Sequence, residues 1–166
     1  LSFLVNSNQT GTFGASITNY AGTRSYPFLY SITANVWTRI TVTIPGDTGG
    51  TWVAGTNAGA MYLIFTLGAG SNYLAPANAW VGSYATGATG SYSMVGTLGA
   101  TWSISNIQLE KGSTATPFEF RHYGQELALC QRYYWQDPNG VGGTGFINTT
   151  TTAQTCLLYT SDAADD

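Results

Sequence analysis

Few side chains in this sequence suit catalysis, and their spacing limits the chemistry they could do. Glycoside hydrolysis needs two carboxylates facing each other across a cleft, and Glu110 and Glu119 are the obvious pair. Lys111 and Arg121 lie beside them in sequence, so structural ion pairing is their expected role. His122 is the only histidine. A base-assisted nucleophile needs a histidine and an orienting acid, and a zinc site needs more than one nitrogen or sulfur ligand. Flanked by Arg121 and Tyr123, His122 reads as a surface or interface residue. No P-loop, no G-x-G-x-x-G between strand and helix and no H-E-x-x-H occurs. No catalytic residue, metal ligand or cofactor is therefore assigned, and the chain reads as non-enzymatic.

The aromatic residues are the better lead. Sugar-binding surfaces stack the apolar faces of sugars on Trp and Tyr, with amide and hydroxyl groups nearby to hold the sugar hydroxyls. Trp52, Tyr73, Trp80 and Tyr84 lie in the loop-rich middle of the chain, interleaved with Asn57, Asn72 and Asn78. They are the candidate glycan-binding residues, and Tyr92 follows in the same region. The competing reading places Trp37 and Trp102 in the core, packs Trp52 beneath its own loop and leaves only one or two of the others exposed. An exposed aromatic also suits an oligomer contact.

The elements that would carry these residues have period two. Residues 24–32 place Tyr26, Phe28, Tyr30 and Ile32 on one face. Residues 37–44 turn Ile40, Val42 and Ile44 inward and Arg39, Thr41 and Thr43 outward. Such alternation of β-branched and aromatic residues marks half-buried strands. Residues 1–7 and 11–20 read as two strands joined at Asn8-Gln9-Thr10, and the apolar run 61–67 reads as a central strand. Trp102, Ile104, Ile107 and Leu109 mark another strand whose phase slips near Asn106, as an inserted β-bulge residue would cause. Turn residues fill 45–50 and 68–71. Only 124–134 departs from this pattern, with Leu127, Cys130 and Tyr133 at three-residue steps that predict a short helix or turn. The fold class is all-β, an antiparallel β-sandwich.

Composition agrees. The 166 residues include 21 Gly, 14% aromatics and 43% hydrophobics, but only 8% charged residues, against about 25% in an average domain. Five scattered Lys and Arg do not build a nucleic-acid surface. Disorder goes with high net charge and few aromatics, and neither holds. The longest apolar run, 60–65, is too short for a membrane helix.

Both ends are unusual. The chain opens on an apolar segment without Met, as the interior of a longer reading frame would. Residues 156–166, CLLYTSDAADD, resemble the translation of a transposon-end sequencing adapter and are set aside from the fold. Cys130 is then the only cysteine, with no disulfide to propose, and it is expected to pack as a small hydrophobe. Three of the eight acids, Asp162, Asp165 and Asp166, lie in that tail. Without them, five acids balance five bases, and the formal charge of -3 vanishes.

Residues 106–119, NIQLEKGSTATPFE, continued by Arg121 and by 123–134, YGQELALCQRYY, closely resemble a motif of bacteriophage and prophage tail proteins. In that family the motif closes a carbohydrate-binding-like jelly-roll domain. The upstream segments at 7–12, 24–26, Trp37 and 44–48 follow in the family's order, so the resemblance covers 1–135. It implies a jelly-roll domain over 1–135, incomplete at its N-terminus, then the start of a truncated Gly/Thr-rich unit at 136–155. It further implies a virion or prophage setting, other tail proteins and a host-surface glycan as partners, and a homo-oligomer, trimeric by analogy with fibres. Within the motif, Gly112 permits the turn after the strand, Pro117 sets an extended exit and Phe118 plugs the end of the sandwich. Glu119 and Arg121 lock the crossing segment, Glu110 belongs to the same structural motif, and Glu126 and Arg132 are spaced for charge contacts with a neighbouring chain. The alternative is a glycan-binding module of a secreted bacterial polysaccharide-degrading enzyme. A third reading makes it the accessory domain of a depolymerase.

Overall fold

The structure is a computed structural model that describes residues 1–53 and 59–133. Eight strands appear in the order β1 (Ser2–Ser7), β2 (Gly11–Asn19), β3 (Ser25–Ile32), β4 (Thr38–Thr41), β5 (Met61–Thr66), β6 (Leu74–Ala75), β7 (Gly87–Ala88) and β8 (Trp102–Gln108). One helix, α1 (Tyr123–Tyr133), follows. The chain divides into two compact units, Leu1–Phe118 and one that begins at Glu119. Among the described residues the fold is all-β and mostly antiparallel, with one helix. The proposed Gly/Thr-rich unit at 136–155 and the tail at 156–166 lie outside the described residues.

Two three-stranded antiparallel sheets build the first unit, in the orders β4-β1-β8 and β3-β2-β5. β1 and β2 follow each other in sequence yet belong to different sheets, so the Asn8–Thr10 turn carries the chain from one sheet to the other. The sheets face each other across an aromatic core. Phe3 of β1 meets Tyr30 of β3 and Phe65 of β5 edge-on, with ring centroids 5.3 and 5.1 Å apart. Trp102 of β8 packs against Phe65 at 5.5 Å. The inward face of β3 is as expected, with Tyr26, Phe28, Tyr30 and Ile32 all buried, but the strand is not half-buried, since Ser25 and Pro27 on its other face are buried as well. Ile40, Val42 and Ile44 pack against this core, with Arg39, Thr41 and Thr43 exposed.

The bulge foreseen in β8 is present. Ser2 pairs with Gln108 and Leu4 with Ser105, so β8 spends one more residue than β1 over the same stretch. Asn106 takes up the irregularity at φ 52°, a left-handed conformation that Asn tolerates better than most residues. The burial alternation nonetheless runs through Asn106 unchanged, so Ile107 and Leu109, expected to face inward, fall on the open face at 45% and 52% exposed.

Other expectations are corrected. The run at 61–67 is not central: β5 lies at the end of its sheet, and β2 occupies the middle. Trp37 is 54% exposed rather than in the core, because it shares the odd-numbered, outward parity of Arg39 and Thr41. Cys130 is exposed on α1 and does not pack as a small hydrophobe. Every described side chain of that helix is exposed, Leu127 and Cys130 included.

The outer face of β2 and β3 carries a cover that alternation alone does not predict. β6 and β7 pair in parallel, and the loops around them lie on the small residues Gly14, Ser16, Ser25 and Pro27, all buried. The Ser25 hydroxyl donates to Ser83 O at 2.8 Å and accepts from Ala85 N at 3.0 Å. Thr66 Oγ1 donates to Thr86 O. Pro27 lacks an N–H and sits on an end strand of the sheet, where proline is tolerated; its carbonyl accepts Asn78 N at 2.8 Å. A β-carbon at Gly14 would stand 2.7 Å from Ser91 Cβ, so the cover fits only against glycine. Gly14→Ala is expected to destabilise the fold by roughly 1–3 kcal/mol through overpacking. Phe28→Ala should cost about 3–5 kcal/mol through the cavity it leaves. Urea denaturation of both variants reads the two effects.

Candidate functional site

The candidate site is built around the turn from β2 to β3, and a buried asparagine holds that turn. Asn19 is 1% exposed. Its Oδ1 accepts Thr23 N at 2.9 Å and Arg24 N at 3.0 Å. Its Nδ2 donates to Thr23 Oγ1 and to Thr51 O, both at 3.0 Å. One side chain thus closes the turn and ties it to the 45–53 loop. Both amide ends are fully used, which is what makes its burial tolerable.

Next to the turn, Arg24 grips Asp47 in a two-pronged ion pair, Nε to Oδ2 at 2.9 Å and Nη2 to Oδ1 at 2.5 Å. The Asp47 side chain is only 2% exposed. Gly49 N donates to its Oδ1 at 3.1 Å and Trp52 Nε1 to its Oδ2 at 3.0 Å. The Arg24 bonds come first among the causes that hold the Asp47 carboxyl well below the usual carboxylate range, against the opposing effect of desolvation; the Gly49 and Trp52 bonds add to the lowering. With four donors on two oxygens, Asp47 is a structural anchor for its loop. Trp52 meets Trp80 edge-on at 5.5 Å, and Trp80 packs on Tyr26 at 5.2 Å while donating Nε1 to Pro45 O at 2.7 Å. Trp52 and Trp80 are both half-buried. Their rings and N–H groups are engaged within the protein.

The tyrosines differ. Tyr73 and Tyr84 form an edge-on pair at 6.2 Å and are 52% and 42% exposed. Tyr20, just beyond β2, stacks on Tyr62 of β5 at 5.6 Å, and these are 52% and 46% exposed. The two pairs adjoin: a β-carbon at Gly22, two residues after Tyr20, would stand 3.2 Å from the Tyr84 ring; burial raises the Tyr62 hydroxyl pKa, and Tyr20 and Tyr84 add to the rise. The structure therefore brings Tyr73 and Tyr84 together with Tyr20 and Tyr62, which sequence reasoning missed, and groups Trp52 with Trp80. Tyr20 and Tyr62 read as ordinary strand aromatics. Only the antiparallel register, in which Asn19 faces Met61 and Thr18 faces Tyr62, makes them neighbours. From Asp47 to Glu110 the sequence holds no charged residue, and Tyr62, Tyr73 and Tyr84 all lie in that span.

The remaining candidates hold the segment after β8. Glu110 accepts Thr116 N and Thr116 Oγ1, each at 2.8 Å, and Gln108 Nε2 at 3.2 Å. These bonds, the Thr116 N–H foremost, lower its pKa. Gly112 turns the chain at φ 151°, a region open to glycine. Pro117 is exposed and Phe118 half-buried. Arg39 Nη2 donates to Thr116 O at 2.5 Å and Thr43 Oγ1 to Ser113 O at 3.1 Å, which lays 113–117 beside β4. A cleft of about 280 Å³ opens along Glu110, Leu1 and Val42, away from the aromatic residues. In the second unit, Arg121 lies 3.3 Å from Glu119 and 3.4 Å from Glu126, all exposed, so the pairs contribute little stability. Among the described residues no group of three His, Cys, Asp or Glu gathers as a metal site, and no helix is long and apolar enough to cross a membrane.

The chain matches no protein-family model, no curated protein and no solved structure.

Asp47 binds its proton less readily in the folded chain than in the unfolded one. The stability it contributes is thus fully present above the ordinary carboxylate pKa near 4 and is lost as pH falls below it. Asp47→Asn is expected to lower thermal stability at pH 7 and to flatten the stability-versus-pH curve below pH 4. Thermal unfolding of both proteins across that range checks both effects.

Proposed function

We propose that this chain is a non-enzymatic jelly-roll module of a bacteriophage tail or tail fibre, serving virion assembly or attachment to a host-surface glycan. The observation that carries the attachment role is the exposed group of tyrosines in a stretch free of charge. The tail setting is supported by the motif at 106–134, whose residues hold backbone: Glu110 closes a turn on Thr116, and the following segment bonds to Arg39 and Thr43. A non-enzymatic role is supported by the engagement of the carboxylates in such contacts. Homotrimeric assembly belongs to the same proposal, by analogy with fibres. The same aromatic surface would also suit the alternative, a glycan-binding module tethering a secreted polysaccharide-degrading enzyme.

Two measurements test the proposal. Incubated with bacterial surface polysaccharide, the purified chain should be retained on it without releasing new reducing ends; release of reducing ends that Glu110→Gln abolishes would overturn the non-enzymatic reading. Reading frames for capsid, portal or baseplate proteins should flank this one, whereas a hydrolase domain in the same frame would favour the tether.

A further inference from the structure

We infer that Tyr20, Tyr62, Tyr73 and Tyr84 form the binding surface itself, and that its ligand is an uncharged oligosaccharide. The inference rests on the attachment reading above and gives it a site and a ligand class.

Exposed aromatics this close together are uncommon without a partner. Each of the four rings is about half exposed, so together they offer on the order of 400 Å² of open ring surface. That is about half of the roughly 800 Å² each side contributes to a stable protein–protein interface, and it suits a few sugar rings better than a second copy of the chain. One pair lies nearly parallel, at 25° between planes, and the other nearly perpendicular, at 86°. A flat wall and an upright edge suit a ligand with separate apolar faces joined at an angle, as successive sugar rings are.

The backbone beneath the rings is held. Tyr20 N donates to Ala60 O at 3.1 Å, and Thr86 N to Tyr73 O at 2.9 Å. Ser25 fixes the residues on both sides of Tyr84 through Ser83 O and Ala85 N. The rings therefore lose little freedom on binding, which favours affinity from a small contact. Asn72 and Ser83, neighbours in the chain of Tyr73 and Tyr84, are exposed and add amide and hydroxyl groups beside the rings.

Charge decides the ligand class. Arg24 stands near the rings, its Nη1 3.9 Å from where a β-carbon of Gly82 would lie, two residues before Tyr84, but its guanidinium is held by Asp47 in a pair with no net charge. A uronate or sialic-acid carboxylate would lose water there and meet only a cation already paired with Asp47.

The test is a printed array of neutral hexose and N-acetylhexosamine oligosaccharides with matched uronate and sialylated versions, followed by calorimetric titration of the best ligand into the full chain. Neutral oligosaccharides are expected to bind in preference to their acidic counterparts. Tyr62→Ala and Tyr84→Ala should each weaken binding by about 10-fold. Tyr62→Phe, which keeps the ring, should bind within about threefold of the parent chain. Circular dichroism of each variant confirms that the fold survives. Binding unchanged in both alanine variants, or lost only with Trp52→Ala, would overturn this site and leave the attachment reading intact. Preference for acidic sugars, or self-association abolished by Tyr62→Ala without any sugar binding, would overturn the inference. Retention on surface polysaccharide with no array ligand bound would also overturn it, while failure of retention itself would fall on the attachment reading.

Discussion

The structure depends on β2 being covered on both faces. One face must receive the aromatic core and the other must accept a close cover, so the strand alternates Phe13, Ala15 and Ile17 with Gly14, Ser16 and Thr18, all buried. A central strand of this kind leaves its ends as the place where the chain can be exposed. At the β3-proximal end, Asn19 spends its whole side chain on the turn and on the 45–53 loop. What radiates from that turn, the Arg24–Asp47 pair on one side and Tyr20 on the other, is positioned by the same four hydrogen bonds.

Scarcity of charge shapes the rest. In the first unit four charged side chains serve architecture: Arg24 and Asp47 fasten one loop, and Glu110 and Arg39 fasten the segment after β8. The surface between them relies on Gly, Thr, Ser and Asn for solubility and on aromatic rings for contact. Neutral hydrogen-bonding groups and flat rings are suited to neutral, hydroxyl-rich partners and poorly suited to polyanions.

Much of the fold is legible in the residues. The period-two pattern of Tyr26, Phe28, Tyr30 and Ile32 marks β3 because side chains alternate across a strand. The phase slip near Asn106 marks the register shift of β8 against β1, although the burial alternation itself does not reverse there. The motif at 106–119 reads as structural, but in place of the ion pair expected of Glu110 the structure has hydrogen bonds from Thr116 and Gln108. The position of β5 was not legible: an apolar run of six residues has the same composition in the middle of a sheet as at its end. Nor was the outer cover, whose short strands and serine hydrogen bonds carry almost no periodic signal.

The aromatic residues divide along the same line. Their abundance, and the lack of charge around Tyr62, Tyr73 and Tyr84, are properties of the sequence alone. Tertiary structure decided which rings stand together: Trp52 and Trp80 are drawn onto Asp47, Pro45 and Tyr26, while Tyr20 and Tyr62 meet Tyr73 and Tyr84 at the open end of the sheet. The physical reason is register. Local alternation says which face a side chain takes, but only long-range hydrogen bonding between strands, and the loops it anchors, sets which distant residues share a surface.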